Sequence, residues 1–171
     1  NASYGGGMYN YHAVSVVTGS VFSDNWAASG GGMYNYRAAP VVTGSVFSDN
    51  WAASGGGMYN MESAASLQVV ASAFMNNMAE YGGGMYNDMA SPLIRDSHFH
   101  NNTAESEYCE AEWDEGYEVY CYPIGSGGGM YIKGPDASPT ILRCVFTENR
   151  TIDYGGAIYS NNAAPTATNC V

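Results

Sequence analysis

Two aspartates and two histidines are the residues best suited to acid–base chemistry. Asp24 and Asp49 occupy the same place in two copies of FSDN, and His98 and His100 flank a phenylalanine in HFHNN. A glycosidase needs two carboxyl groups at a defined separation on a cleft floor. Because the aspartates recur with their motif and the histidines alternate with an apolar residue, we interpret all four as surface residues. The chain is therefore predicted not to be an enzyme.

An acidic insertion holds the best candidate metal ligands. Residues 103–126 contain seven of the 16 acidic residues, and carboxylate oxygens suit Ca²⁺. The weak Ca²⁺ candidates are Glu110, Glu112 and Asp114, although no EF-hand spacing is present. The alternatives are a recognition loop on the flank of the solenoid and a solvated acidic hairpin without a metal, and no other cofactor is predicted.

Two cysteines bracket the middle of this insertion. Cys109 and Cys121 are predicted to form a disulfide, which would stabilise a loop of this size by about 3 kcal/mol. Without that link, so acidic a loop should be disordered.

Composition limits the partners and the compartment. The 171 residues carry a net charge of −11, which argues against binding nucleic acid or anionic lipid. No apolar run approaches the length of a membrane span. Four cysteines, few lysines and sequons at Asn1, Asn101 and Asn149 favour an extracellular or cell-surface protein.

One hexapeptide, GGGMYN, recurs through the chain. It starts at residues 5, 30, 55 and 82, and variants follow at 127 and 155, so the spacings are 25, 25, 27, 45 and 28 residues. The stretch 16–35 is repeated without change at 41–60. Self-similarity at this period indicates a repeat architecture.

Aligning the repeats gives columns of like residues. The predicted core ladder is Phe22, Phe47, Phe74, Phe99 and Phe146. The predicted corner ladder, whose amides should hydrogen-bond along the stack, is Asn25, Asn50, Asn77, Asn102 and Asn149. The predicted outward aromatic ladder, if the preceding Met or Ile points inward, is Tyr9, Tyr34, Tyr59, Tyr86, Tyr131 and Tyr159. The reverse orientation of the Met and Tyr columns is the alternative.

Short apolar segments separated by Gly, Asn, Asp and Pro predict strands rather than helices. A period near 25 with three short strands fits one coil of a right-handed parallel β-helix, in which like residues stack about 4.8 Å apart. The predicted fold is all-β: a single β-solenoid domain over 1–171, with about six coils and the insertion 103–126.

Two motifs that recur in register resemble a known family. Phe-x-x-Asn together with Gly-Gly-Ala-Ile, here at 155–158, is similar to the repeat of the chlamydial polymorphic outer-membrane proteins. That resemblance implies the β-helix of a surface passenger used in adhesion.

Cys144 and Cys170 fall in one column of consecutive coils, otherwise filled by serine. Side chains stacked in this way lie farther apart than a relaxed disulfide prefers. Buried free thiols are therefore predicted, with a strained disulfide between coils as the alternative.

The two ends of the chain supply complementary parts of one coil. The predicted assembly ends are Asn1, Ala2, Ser3, Tyr4, Cys170 and Val171. Identical subunits stacked head to tail would form an extracellular structural filament with an axial repeat of about 30 Å. The alternatives are a cell-surface adhesin whose tyrosine ladder stacks on glycan rings, and a segment of a longer solenoid.

Overall fold

The computed structural model describes residues 2–63, 66–112 and 118–171, with only the backbone of 110–112 and 118–120. The described chain is a solenoid of short parallel strands, which stack into four sheets that run along its axis. Three sheets have six strands and the fourth has five. The predicted parallel solenoid of about six coils is confirmed, but each coil has four strands rather than three.

The sheets are named A to D in the order in which the chain visits them. Sheet A contains Ala2–Tyr4, Ala27–Ser29, Trp51–Ser54, Met78–Tyr81, Thr103–Ala104 and Arg150–Thr151. Sheet B contains Met8–Tyr11, Met33–Tyr36, Met58–Met61, Met85–Asp88, Met130–Lys133 and Ile158–Asn161. Sheet C contains Val16–Thr18, Val41–Thr43, Gln68–Val70, Leu93–Arg95, Thr140–Leu142 and Thr166–Thr168. Sheet D contains Val21–Ser23, Val46–Ser48, Ala73–Met75, His98–His100 and Val145–Thr147.

The four corners of a coil have the same backbone conformation. In the second coil the corner residues Gly30, Arg37, Gly44 and Asp49 all have positive φ, between 48° and 64°. The left-handed residue turns the chain from one sheet into the next, and glycine, Asn and Asp tolerate this conformation best. The corner at Gly44 separates sheet C from sheet D and so adds a fourth strand to the coil.

The core lies inside the four sheets and is built from stacked columns. Phe74 pairs with Phe47 and Phe99, and Met58 pairs with Met33 and Met85, so like residues lie in register. These side chains belong to one buried cluster that follows the axis. The coils are held together both by backbone hydrogen bonds and by this continuous apolar column.

The insertion is an antiparallel hairpin formed by the strands Ser106–Glu112 and Glu118–Ile124. It is shorter than predicted, because Thr103 and Ala104 pair within sheet A and Ser126 bridges Tyr81 and Tyr154. The solenoid therefore continues on both sides of the hairpin.

Candidate functional site

The phenylalanine column is the most regular element of the core. Successive rings lie 4.8, 4.8, 4.7 and 4.8 Å apart, with their planes within 8° of parallel. Phe47, Phe74 and Phe99 are fully buried, whereas Phe22 and Phe146 in the end coils are half-buried. The column thus stays partly open to solvent at both ends.

The corner asparagines form a hydrogen-bonded ladder on the inside of the solenoid. Asn50 donates from its side-chain nitrogen to Asn77 Oδ1 at 2.9 Å and to the Phe22 carbonyl at 2.9 Å, and its backbone N–H also donates to Asn77 Oδ1. The same pattern recurs at Asn77 and Asn102. Each buried amide therefore connects three coils.

The left-handed residue of this corner is not the asparagine. Positive φ falls on the preceding residue, which is Asp24, Asp49, Asn76, Asn101 or Glu148. The corner asparagine instead points inward, because its amide can satisfy buried backbone groups that an apolar side chain would leave unpaired.

A second asparagine ladder runs through sheet B and was not predicted. Asn10, Asn35 and Asn60 each donate from Nδ2 to Oδ1 of the next coil's asparagine at 2.8 Å, and the ladder ends at Asn87. The next coil has Ile132, and Asn87 Nδ2 has no hydrogen-bond partner among the described residues. The recurrence of Asn at the end of GGGMYN was the signal that could have revealed this ladder.

The tyrosine column lies outside the main core but is not an exposed strip. Tyr34, Tyr59, Tyr86 and Tyr131 form a separate cluster and are only 5–8% exposed. Neighbouring tyrosine rings lie 4.8–5.2 Å apart along the stack. Met points inward as expected, but the prediction of a solvent-facing aromatic ladder is wrong for these four residues. Tyr9, in the first coil, is 48% exposed.

Burial changes the acidity of this cluster. Removal from water raises the pKa of Tyr34 to about 12, and it also raises the pKa of Tyr59, whose hydroxyl donates to Asp88 Oδ2 at 3.2 Å. Burial followed by the nearby Asp88 charge raises the pKa of Tyr86. The phenols of Tyr34, Tyr59 and Tyr86 are therefore held neutral, as packing against one another requires.

The cysteines fall into two classes. Cys109 and Cys121 form a disulfide across the hairpin, as predicted. Cys144 is a buried free thiol that donates to the Leu142 carbonyl, and Cys170 is a half-buried free thiol. Burial raises the pKa of the Cys144 thiol, so this thiol is protonated in a position that serine occupies in the inner coils.

The Ca²⁺ expectation falls on residues about which little is described. Asp114 lies outside the described residues, as do the side chains of Glu110 and Glu112. Glu107 lies beside Cys109 and Cys121, but both sulfurs are in the disulfide and cannot act as thiolate ligands.

The residues suited to acid–base chemistry occupy corners and outer faces. Asp24 and Asp49 are left-handed corner residues, and Asp49 Oδ1 accepts a hydrogen bond from Asn76. His98 is exposed and His100 half-buried, and both contact Thr147 on the outer face of sheet D.

Arginines pair with acids of neighbouring coils on the outer surface. Arg37 bonds to Glu62 at 2.6 Å, and Arg143 bonds to Asp96 at 2.7 Å. The Arg143 and Arg95 guanidiniums hold the pKa of Asp96 below its usual range. These contacts link adjacent coils on the solvent side, where an ion pair contributes little to stability.

The first and last strands of the described solenoid define its two end faces. We define the N-terminal face by the first strand of each sheet, and the C-terminal face by the last strand of sheets A, B and C with Val171. Within the described chain, the first strands and the last strands of sheets A, B and C each have a strand on one side only. Val171 pairs with the last strand of sheet D through Phe146 and Cys144.

The predicted assembly ends lie on these two faces. Ala2, Ser3 and Tyr4 form the edge strand of sheet A, and Cys170 and Val171 lie at the opposite face, where Val171 is 84% exposed. Asn1 lies outside the described residues.

Comparison with known families gives one match. The model of the family described as the right-handed β-helix region matches residues 1–171. No curated protein and no solved structure matches the chain. Over the described residues, no helix is long and apolar enough to cross a membrane.

Proposed function

The chain belongs to the right-handed β-helix family, and from that premise we propose that it is a structural repeat protein whose solenoids associate end to end into a filament. The observation that supports this proposal is the pair of end faces, which present the same arrangement of sheets and whose strands in sheets A, B and C have a neighbour on one side only within the described chain. Open parallel edges present unpaired N–H and C=O groups that bind another strand. A contact between two different faces does not close on itself, so it propagates as a fibre.

The two faces match column by column in sheet B. The N-terminal face presents Met8, Tyr9 and Asn10, and the C-terminal face presents Ile158, Tyr159 and Ser160 in the same three columns. Both faces thus offer an inward apolar residue, an outward tyrosine and an inward polar residue. One copy placed on another would continue the apolar and tyrosine columns at the strand spacing, giving an axial repeat of about 30 Å for six coils.

One residue of the C-terminal face departs from the inner coils. Ala157 occupies the column that Gly57, Gly84 and Gly129 fill, and a Cβ at Gly129 would lie 2.5 Å from the next coil's carbonyl oxygen. When a second copy stacks on this face, the Ala157 methyl group would therefore lie too close to a backbone carbonyl oxygen of that copy. We expect Ala157→Gly to tighten end-to-end association.

The edge of sheet C provides a test that leaves the inner hydrogen bonds in place. The Thr166 N–H donates to Pro139 O, and Thr168 O accepts from the Arg143 N–H. Because backbone groups of alternate residues point to opposite sides of a strand, those of Ala167 point away from the solenoid at the open edge. Proline at residue 167 would remove that donor and block the edge.

Sedimentation velocity over a range of concentrations compares wild type, Ala167→Pro and the matched control Ala167→Val. Wild type and Ala167→Val should grow with concentration, whereas Ala167→Pro should remain small. A wild-type chain that is monomeric at every concentration contradicts self-association. That result would favour another solenoid segment as the partner of these faces.

The disulfide supports an extracellular or cell-surface location, because such bonds persist in oxidising compartments. The hypothesis of a surface adhesin similar to the chlamydial repeats remains the competing function. It now lacks its main support, since the central tyrosines that were to stack on glycan rings are buried. We propose no catalytic role, because Asp24 and Asp49 serve as corner residues of their coils.

A further inference from the structure

Two histidines on the outer face of sheet D point at one oxygen atom. His98 and His100 flank Phe99 in one strand, so both imidazoles project from the outer face while the phenyl ring is buried. His98 Nε2 and His100 Nδ1 each lie 3.0 Å from Thr147 Oγ1 on the next coil. The ring centroids are 5.7 Å apart.

The strand that carries the pair is held firmly by the core. The Phe99 ring stacks on Phe74 at 4.7 Å and on Phe146 at 4.8 Å, with interplanar angles of 3° and 8°. The register places His100 opposite Thr147. The backbone is thus fixed, and only the imidazole torsions need to adjust to a ligand.

We propose that His98 and His100 bind a divalent transition-metal ion, and that Cu²⁺ binds most tightly, with the Thr147 hydroxyl and water as further ligands. Imidazole nitrogen suits Cu²⁺, Ni²⁺ and Zn²⁺, and copper leads this series in affinity. Metal–nitrogen bonds are about 2.0–2.1 Å long, shorter than the 3.0 Å contacts to Thr147 Oγ1, so the metal would lie between the two nitrogens and this oxygen after small rotations of the rings. The net charge of −11 raises the local concentration of cations.

Proton exchange accompanies binding at this site. The Thr147 hydroxyl has one proton, so it donates to at most one imidazole, and the other imidazole donates its own N–H to Thr147 Oγ1. Metal binding needs a lone pair on both nitrogens, so at least one ring changes tautomer or loses a proton.

The pair is confined to one coil. The outward positions that it occupies hold apolar residues, serine or threonine in the other coils: Val21, Ser23, Val46, Ser48, Ala73, Met75, Val145 and Thr147. The third histidine, His12, lies at a corner against the Tyr11 ring, 4.5 Å between centroids. His12 is therefore a matched control with a single exposed imidazole.

Calorimetric titration with Cu²⁺ in a non-coordinating buffer compares wild type, His98→Asn, His100→Asn and His12→Asn. Wild type and His12→Asn should bind one ion with the same affinity. His98→Asn and His100→Asn should each bind Cu²⁺ at least about tenfold more weakly. Removing a residue that only hydrogen-bonds to a metal ligand already weakens binding by about tenfold, and removing a ligand itself should weaken it more. Equal melting temperatures of the four proteins establish that the variants are folded.

Electron paramagnetic resonance of the wild-type copper complex gives a readout that needs no variant. Hyperfine coupling to two imidazole nitrogens supports the site. The proposal is overturned if wild type binds no Cu²⁺, if coupling to two nitrogens is absent, or if all four proteins bind with equal affinity. Equal affinity would place the ion on the acidic hairpin instead.

Discussion

Replacing Asn77 by alanine tests the hydrogen-bonded corner ladder. Asn77 is fully buried, its Nδ2 donates to Asn102 Oδ1 and to the Phe47 carbonyl at 2.9 Å each, and its Oδ1 accepts from the backbone and side chain of Asn50. Alanine would leave the Asn50 backbone N–H and the Phe47 carbonyl without these partners. The unpaired Asn50 N–H costs about 1–3 kcal/mol. The Phe47 carbonyl keeps the Met75 N–H of the strand ladder and loses one hydrogen bond, about 0.5–1.5 kcal/mol, so the free energy of unfolding should fall by about 1.5–4.5 kcal/mol.

The same change at the end of the ladder is the matched control. Asn25→Ala removes one side-chain hydrogen bond, from Nδ2 to Asn50 Oδ1 at 2.9 Å, in a half-buried residue. It should cost only about 0.5–1.5 kcal/mol. Urea unfolding followed by circular dichroism measures both variants, and equal m-values establish that the same structure unfolds. Equal costs for Asn25→Ala and Asn77→Ala would refute the argument that the ladder satisfies buried backbone groups.

Three further changes probe the close contact of Gly57 with the next coil, the second ladder and the tyrosine cluster. Gly57→Ala places a Cβ 2.6 Å from the carbonyl oxygen of the next coil, so its melting temperature should fall by several degrees. Ile132→Asn offers a hydrogen-bond partner to the unpaired Asn87 Nδ2. Its control is Ile141→Asn, because Ile141 is also buried but lies beside neither ladder. In urea unfolding, Ile132→Asn should lower the free energy of unfolding by about 1–3 kcal/mol less than Ile141→Asn does. Because the native state keeps the Tyr34 proton up to about pH 12 while the unfolded chain releases it near 10, stability should fall as pH rises through this window. Urea midpoints at pH 9 and 11.5 should differ less in Tyr34→Phe than in wild type.

Much of the fold could be predicted because the repeat aligns chemically similar residues. Phe74 and Met85 lie in the buried columns that the alignment indicated, because like side chains stacked at the strand spacing pack against one another. The disulfide between Cys109 and Cys121 followed from their position within an acidic insertion.

Other features depend on geometry that the repeat pattern does not contain. The alternation of inward and outward residues placed Tyr59 on the outer side of its strand, but alternation does not reveal that neighbouring side chains then cover it. The pattern likewise marked the corner near Asn50 without showing that the residue before it, Asp49, adopts the left-handed conformation. His98 and His100 were recognised as surface residues, yet their shared contact with Thr147 needed the register between coils.

Electron microscopy of the purified wild-type chain, combined with X-ray fibre diffraction, tests the proposed filament most directly. We predict unbranched fibres with an axial repeat of about 30 Å and a meridional reflection at about 4.7–4.8 Å, because strands run perpendicular to the axis. The Ala167→Pro variant should give no fibres under the same conditions. Discrete particles without fibres at every concentration of the wild-type chain would contradict end-to-end assembly.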